Sequence, residues 1–137
     1  MSTRSAIIRK TDSGYAGIYC HFDGYLEGVG ATLRDHYSDP GKVARLIALG
    51  DISSLGQRVE PIGPHSYSDS EVGTTVAYMR DRGEEGCEAR TGATATKVAG
   101  QIGHNGYVYV FDGGVWRVNG ALLAEAFAQA AASEGAV

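Results

Sequence analysis

The sequence predicts an α+β fold: a single domain whose antiparallel sheet is built from hairpins, with about three short helices. Three observations lead to this class. Two pairs of strand-like segments are each joined by a tight turn, helical segments stand apart from them, and strands and helices do not alternate regularly. With 137 residues and no internal repeat, the chain fits one domain, 1–137, and we expect the tail 133–137 to fray.

The first hairpin is predicted over residues 4–22. Its strand-like runs, RSAIIRK and YAGIYCHF, flank the turn TDSG, in which aspartate and serine can bond their own backbone. Alternation divides the second strand between an apolar inward face (Ala16, Ile18, Cys20, Phe22) and an outward face (Tyr15, Gly17, Tyr19, His21, Asp23). We therefore expect the Cys20 thiol to point inward, and the His21 and Asp23 side chains to point outward together.

Helical spacing marks three segments and, more weakly, a fourth. Apolar residues recur every three or four positions over 29–37, which predicts a short amphipathic helix. Asp39 as N-cap and Pro40 at the first helical position begin the next helix. Asn119 is expected to cap a final helix, ALLAEAFAQAAASE, while residues 94–102 match a helix less well.

The remaining segments are an irregular connection, one strand and a second hairpin. Residues 51–73 are rich in proline, glycine and serine, which predicts a long loop. Residues 74–81 are expected to form a strand. Two aromatic and β-branched runs flank Gly113-Gly114 within 106–120, so this hairpin is the strongest local prediction in the chain. Its large rings, Phe111 and Trp116, are expected in the core.

Composition excludes several classes of protein. The formal net charge is −4 and lysine and arginine form no run, so a direct nucleic-acid footprint is missing. No apolar stretch is long enough to span a membrane, and the first residues lack the apolar core of a signal peptide. We expect a protein of the bacterial cytoplasm with Cys20 and Cys87 reduced. A disulfide between them is the alternative.

A metal or catalytic site is one interpretation of the string CHFD. His21 and Asp23 share a strand face, and His36 on a nearby helix could add a third ligand. Strand geometry sends Cys20 the other way, so a Cys–His catalytic pair is not expected. The alternative is turn chemistry at Asp23-Gly24, with His21 bonded to a neighbour. The glycine spacing matches no nucleotide-binding fingerprint, so we expect no cofactor.

A binding surface is the second interpretation. Arg80 and Arg82 alternate at the end of the predicted strand, so both would project together as a fork for phosphate or carboxylate. The alternative is an exposed loop in which Arg82 pairs with Glu84 or Glu85. Tyrosine and arginine are the residues that binding hot spots prefer. The predicted ligand- or partner-binding residues are Arg80, Arg82, Tyr19, His21, Asp23 and Tyr25.

Several strings resemble a group of small proteins encoded by bacteriophage, prophage and plasmid genomes. They are TRSAIIRK, IYCHFDGYLEGVGATLRDHY, KVARLIALGDISSLG, TTVAYMRDRGEE and YVYVFDGGVWRV. The shared core is C-H-[FW]-D-G-Y, followed by LGD-SSL and R-D-R-G-E, and the likeness covers most of residues 3–118. The resemblance implies a mobile-element gene with an accessory role, such as an inhibitor of host machinery of the anti-CRISPR kind. It carries over no catalytic residues.

Three functions follow from these features. The first is a non-catalytic protein that binds and inhibits a host protein, in particular a defence complex. The second is a binder of a small nucleotide signal, which requires Arg80 and Arg82 beside an aromatic platform. The third is a metal-dependent enzyme that uses His21, Asp23 and His36. Sheet edges that could pair across a two-fold axis leave a homodimer open.

Overall fold

The computed structural model describes residues 3–103 and 106–135 of the chain. Over this part it confirms the α+β class in one mixed sheet of eight strands. The strands are β1 (Ser5–Thr11), β2 (Gly14–Cys20), β3 (Ile52–Ser54), β4 (Val76–Ala77), β5 (Arg90–Gly92), β6 (Tyr107–Asp112), β7 (Val115–Val118) and β8 (Ala121–Leu122). The helices are α1 (Ala31–His36), which follows a π-helical turn at Leu26–Gly30, α2 (Pro40–Ala48), α3 (Tyr78–Arg82), α4 (Ala95–Ile102) and α5 (Leu123–Gly135).

The sequence predicted an antiparallel sheet, but the observed sheet is mixed. Its order is β4-β3-β2-β1-β6-β7-β8, with β5 also paired to β2. Both predicted hairpins are present and antiparallel, β1–β2 and β6–β7. The two hairpins join through parallel β1 and β6, and β2 also lies parallel to β3. Alternation within a strand reveals its faces but not its neighbour, so these parallel contacts could not be predicted from it.

Helices cover both faces of the sheet. The larger core lies on the side of α1, α2 and α5, where Ile18, Cys20 and Leu46 are fully buried. On the other face, Val98 of α4 packs against Ala6 and Ile8. β2 must carry a glycine under α4, because a Cβ at Gly17 would lie 2.6 Å from Ile8 Cγ1 and 2.9 Å from Val98 Cγ1.

Most of the local predictions are confirmed. Gly113 and Gly114 have φ of +63° and +79°, the geometry of a primed hairpin turn. The Asp39 carboxylate accepts the Gly41 N–H at 3.2 Å and caps α2. Phe111 and Trp116 are buried against each other, with ring centroids 4.9 Å apart. The helix that the sequence predicted more weakly over 94–102 is also present, as α4.

The start of the final helix was predicted wrongly. Asn119 does not cap α5 but occupies the turn between β7 and β8 at φ +49°. Its side-chain oxygen accepts the Val108 N–H at 2.9 Å, and its own N–H donates to the Val108 carbonyl. Asparagine tolerates this left-handed conformation, and here its polar group ties two strands together rather than a helix end. The backbone is helical up to Gly135, and the rest of the tail 133–137 lies outside the described residues.

The predicted strand 74–81 is the other correction. Only Val76 and Ala77 are extended, and helix α3 follows at once. The Asp81 carboxylate reaches back to accept the Ala77 N–H at 2.8 Å, which caps the helix from inside its own sequence. Gly83, at φ +70°, ends it. The connection 51–73 is irregular apart from β3 and an isolated bridge between Arg58 and Thr74.

Within the described residues, none of the helices combines the length and the apolar character that crossing a bilayer demands.

Candidate binding surface

An arginine that lies over two adjoining tyrosine rings is the most distinctive exposed feature of the described chain. The guanidinium carbon of Arg82 lies 4.5 Å from the centroid of the Tyr67 ring and 5.0 Å from that of Tyr78. The two ring centroids are 5.8 Å apart. The Arg82 side chain is 46% exposed and pairs with Glu84. We call Tyr67, Tyr78 and Arg82 the arginine–aromatic cluster.

Helix α3 and one anchored loop position this cluster. Tyr78 and Arg82 are four residues apart, so they lie on the same face of α3. Tyr67 comes from the irregular connection, two residues after His65, whose side chain is only 2% exposed. The His65 Nδ1 atom accepts the Glu71 N–H at 3.0 Å, and Nε2 lies 3.0 Å from Asp81 Oδ2 in an oblique approach. A buried ring therefore fixes the loop that presents Tyr67.

Arg80 does not form the predicted fork with Arg82. Its guanidinium donates to the Val59 carbonyl at 2.6 Å, to the Thr75 carbonyl at 2.7 Å and to the Asp81 carboxylate. Because α3 is helical, side chains two residues apart point in different directions. Arg80 therefore stabilises the fold, because its guanidinium donors are engaged by the chain's own carbonyls and carboxylate. Arg82 instead pairs with Glu84, the arrangement expected of the exposed loop.

A second group of aromatic residues lies at the end of β2. The Tyr19 hydroxyl is 2.6 Å from His21 Nδ1, and the His21 and Phe22 rings meet edge to face at 4.5 Å. Phe22 was predicted to point inward, yet it is 43% exposed, because β2 ends at Cys20 and its alternation stops there.

The two groups are neighbours. The Asp51 carboxylate accepts the Tyr19 N–H at 2.9 Å and the Asp51 carbonyl accepts the Tyr78 N–H at 3.3 Å, so the two tyrosines flank the same residue. We call the whole set the binding surface. It consists of Tyr19, His21, Phe22, Tyr67, Tyr78 and Arg82.

The thiol of Cys20 is separated from the His21 ring, as strand alternation predicted. Cys20 is fully buried, and burial raises its pKa to about 12. Its Sγ lies 3.5 Å from the Phe22 carbonyl. Cys20 and Cys87 are both free thiols. A thiol with so high a pKa stays protonated and is a poor nucleophile.

The other predicted ligands do not assemble into one centre. Asp23 adopts φ +58° beyond the strand end, so it does not share a strand face with His21. Its carbonyl accepts the Val29 N–H at 2.7 Å and begins the π-helical turn. Tyr25 lies beside it, with its hydroxyl 3.4 Å from Asp23 Oδ1. Among residues 3–103 and 106–135, no three His, Cys, Asp or Glu side chains converge as a metal centre would require, so His21, Asp23 and His36 do not form one.

Charged residues are distributed unevenly along the sequence. Residues 51–90 contain eight acidic and four basic residues, whereas the rest of the sequence contains eight of each. The formal charge of −4 therefore belongs to this segment. Its four arginines each contact a carboxylate, in the pairs Arg58–Glu71, Arg80–Asp81, Arg82–Glu84 and Arg90–Asp51.

Phe22, Tyr67 and Tyr78 are the binding-surface residues that were not predicted from the sequence. Tyr67 sits in an aperiodic loop, and Tyr78 was assigned to a strand in which its side chain would not stack on Arg82. The four-residue spacing of Tyr78 and Arg82 is the signal that could have identified Tyr78, since it places both residues on one helix face.

No protein-family model, no curated protein and no solved structure matches this chain. What the surface can do therefore follows from its own contacts and charges.

Proposed function

We propose that this chain is a non-catalytic binding protein that uses the binding surface to engage a host protein. The observation that carries the proposal is the half-exposed Arg82, whose guanidinium lies over the adjoining rings of Tyr67 and Tyr78. The few residues that dominate binding energy in protein interfaces are enriched in arginine, tyrosine and tryptophan, and side chains that are already ordered lose less entropy on binding.

Order of the surface supports this proposal. His65 and Asp81 hold the loop and the helix that carry the cluster, so little conformational entropy remains to be lost on binding. Phe22 adds an exposed apolar ring beside them. The resemblance to mobile-element proteins suggests the setting, which is the inhibition of a host defence complex.

Binding of a small nucleotide signal is the weaker alternative. A phosphate needs an arginine whose donors are free, and Arg82 already donates to the Glu84 carboxylate. The surrounding segment also carries an excess of negative charge, which repels an anion. A protein partner with a basic surface meets neither difficulty.

The test compares two arginines of the same exposure. Arg82→Ala removes the stacked arginine of the cluster. Arg34→Ala is the matched control, because Arg34 is 45% exposed, pairs with Asp35 and stacks over Phe127 at 4.1 Å. We expect a bacterial protein to be captured from a lysate by the wild type and by Arg34→Ala, and to be reduced at least about tenfold with Arg82→Ala.

Equal capture by all three proteins would contradict the proposal, and so would capture of no specific protein. Calorimetry against cyclic nucleotides and ADP-ribose derivatives tests the alternative. Heat that disappears in Arg82→Ala but not in Arg34→Ala would replace the protein partner with a small ligand.

A further inference from the structure

Arg9 is a partly buried arginine that no carboxylate of the described chain neutralises. Arg58 and Arg90 are also partly buried, and each contacts a carboxylate, that of Glu71 and that of Asp51. Among residues 3–103 and 106–135, no carboxylate lies within ion-pair distance of Arg9. Removing a charge from water without a partner is costly, so the fold alone does not account for Arg9.

The hydrogen-bond donors of Arg9 are also largely unused. Its one bond to a described residue runs from Nη1 to the Lys10 carbonyl at 3.4 Å, which is longer than usual for an N–H donor. The Nε atom is shielded from solvent and donates to no residue of the described ranges. Native proteins satisfy nearly all such donors, so these point to an acceptor that binds from outside the chain.

Strand register places Arg9 at the end of the larger core. Arg9 is paired with Ala16 of β2 and with Phe111 of β6, and paired residues share a face of the sheet. Both neighbours belong to the core on the side of α2. The Arg9 side chain therefore lies on the face that α2 covers, close to the beginning of that helix at Pro40.

A cavity of about 330 Å³ lies at this point. Phe111 and Pro40 supply apolar walls, and the turn between β6 and β7 brings only glycines, which leave its side open. The lining consists of Arg9, Lys10, Pro40, Phe111, Gly113 and Gly114. A cavity of this size with apolar walls and one cation is suited to a small molecule that carries a negative charge.

The attraction for an anion is confined to the guanidinium. Lys10 is a second cation, and its Nζ lies 5.3 Å from the centroid of the Tyr15 ring. The acidic residues of the adjoining turns are Asp12, Asp39 and Asp112. Asp39 caps α2, and the Asp112 carboxylate lies 3.5 Å from the Tyr15 hydroxyl on the opposite face of the sheet from Phe111. These charges offset one another at a distance, so an anion gains its binding energy by direct contact.

We propose that this site, which we call the Arg9 cavity, binds a small organic anion through its carboxylate or phosphate group. The guanidinium donates to the oxygens of the anion, as arginine does when it binds carboxylate and phosphate. The organic part of the ligand lies against Phe111 and Pro40. The anion thereby supplies the partner that Arg58 and Arg90 find within the chain. No residue of the binding surface takes part, so the site is independent of the proposed function.

The experiment is an NMR titration of the ¹⁵N-labelled protein with benzoate, phenyl phosphate and inorganic phosphate. We expect saturable shifts of the Arg9 Nε–H signal and of the Gly113 and Gly114 amides, with a dissociation constant in the millimolar range. Phenyl phosphate should bind more tightly than inorganic phosphate, because its ring contacts the apolar walls. Binding of benzoate alone, or of phenyl phosphate alone, would support the site and identify its anion.

Two arginine variants locate the site. Arg9→Gln removes the guanidinium, and we expect it to weaken binding at least about tenfold. Arg117→Gln is the matched control, because Arg117 is an exposed arginine of β7 that forms no ion pair with a described residue. It should bind phenyl phosphate like the wild type.

Urea unfolding separates a ligand-binding arginine from a structural one. Arg9→Gln should unfold at the same urea concentration as the wild type or a higher one, because it removes a charge that the chain does not compensate. Saturating phenyl phosphate should raise the unfolding midpoint of the wild type and of Arg117→Gln, but not that of Arg9→Gln.

Four results would overturn the proposal. They are the lack of saturable shifts at Arg9, Gly113 and Gly114 with either organic anion, equal binding by Arg9→Gln, equal affinity for phenyl phosphate and inorganic phosphate, and a marked loss of stability in Arg9→Gln. Capture of a partner through Arg82 is measured separately, so failure here does not affect the proposed function.

Discussion

The central strands of the sheet and the segment 51–90, which adds β3 and β4 at one edge of that sheet, are stabilised in different ways. In the sheet, β1, β2 and β6 bury aliphatic and aromatic side chains on both faces, and Ile7, Ile8 and Ile18 are fully buried. In the segment, charged side chains bond to the backbone. The Arg80 guanidinium donates hydrogen bonds to two backbone carbonyls, and the Glu71 carboxylate accepts hydrogen bonds from two backbone N–H groups.

This difference separates stability from function. Apolar burial supplies the large favourable free energy of folding and is indifferent to pH. The segment buries Ile52, Val59 and Ala77 in the core, but ionised groups hold the rest of its backbone and allow it to expose arginine, tyrosine and isoleucine. The candidate binding surface takes Tyr67, Tyr78 and Arg82 from that second region. Four predictions test the contrast, and they follow in order of decreasing effect.

Removing a large core ring should unfold the whole molecule at lower denaturant. Trp116 is 7% exposed, packs against Phe111 and donates its indole N–H to the Tyr37 carbonyl at 2.8 Å. We expect Trp116→Ala to lower the free energy of unfolding by about 3–5 kcal/mol. Urea unfolding followed by far-UV circular dichroism measures it, and a loss confined to the segment 51–90 would contradict the contrast.

Removing a buried charge from the segment should have a smaller and more local effect. Asp81→Asn takes the ionic partner from Arg80 and weakens the cap on Ala77, which we expect to cost about 2 kcal/mol. Amide hydrogen exchange should quicken in residues 56–82 far more than in β1. Asp35→Asn, at an exposed ion pair, is the matched control and should change neither.

Acid should loosen the segment before the sheet. Hydrogen bonds from the Thr74 hydroxyl and the Ile62 backbone lower the pKa of Glu71 to about 2. Burial alone would raise the pKa of Asp81, but bonds from Arg80, Ala77 and His65 outweigh it and lower that pKa to about 2 as well.

Both carboxyl groups have a folded pKa below the unfolded one, so their stabilisation is present above about pH 4 and is lost as pH falls toward 2. Residue-resolved NMR should show the segment losing order in that window while β1 and β6 persist. The pH dependence should flatten in Glu71→Gln. Simultaneous loss of both regions in the wild type would contradict the prediction.

The smallest expected effect on stability is at the binding surface itself. The stacking of Arg82 on Tyr67 and Tyr78 is exposed, and such cation–π contacts contribute about 0.5–1 kcal/mol. Arg82→Ala should therefore unfold within about 1 kcal/mol of the wild type in urea while it loses partner capture. A large loss of stability would mean that Arg82 serves the fold.

The sequence was informative where a pattern repeats and silent where contacts are distant. Glycine and aspartate chemistry identified the turn at Gly113-Gly114 and the helix cap at Asp39. Strand alternation correctly predicted that Cys20 is buried. It wrongly predicted that Phe22 is buried, because alternation does not indicate that β2 ends at Cys20.

The candidate surface was predicted only in part. Tyr19, His21 and Arg82 belong to it, whereas Arg80, Asp23 and Tyr25 do not. Tyr67 reaches the surface because the nearby His65 ring contacts Asp81. These two residues are sixteen positions apart in the chain. Such side-chain contacts leave no periodic trace, so a sequence pattern could not have revealed them.

Site-specific photo-crosslinking tests the central claim most directly. Benzoylphenylalanine replaces Tyr67 in one variant and Arg34 in the other, and both proteins are irradiated in bacterial cells. If the binding surface engages a partner, we expect a discrete adduct with a second protein from position 67 and none from position 34. An adduct from position 34 alone, or none from either position, would contradict it.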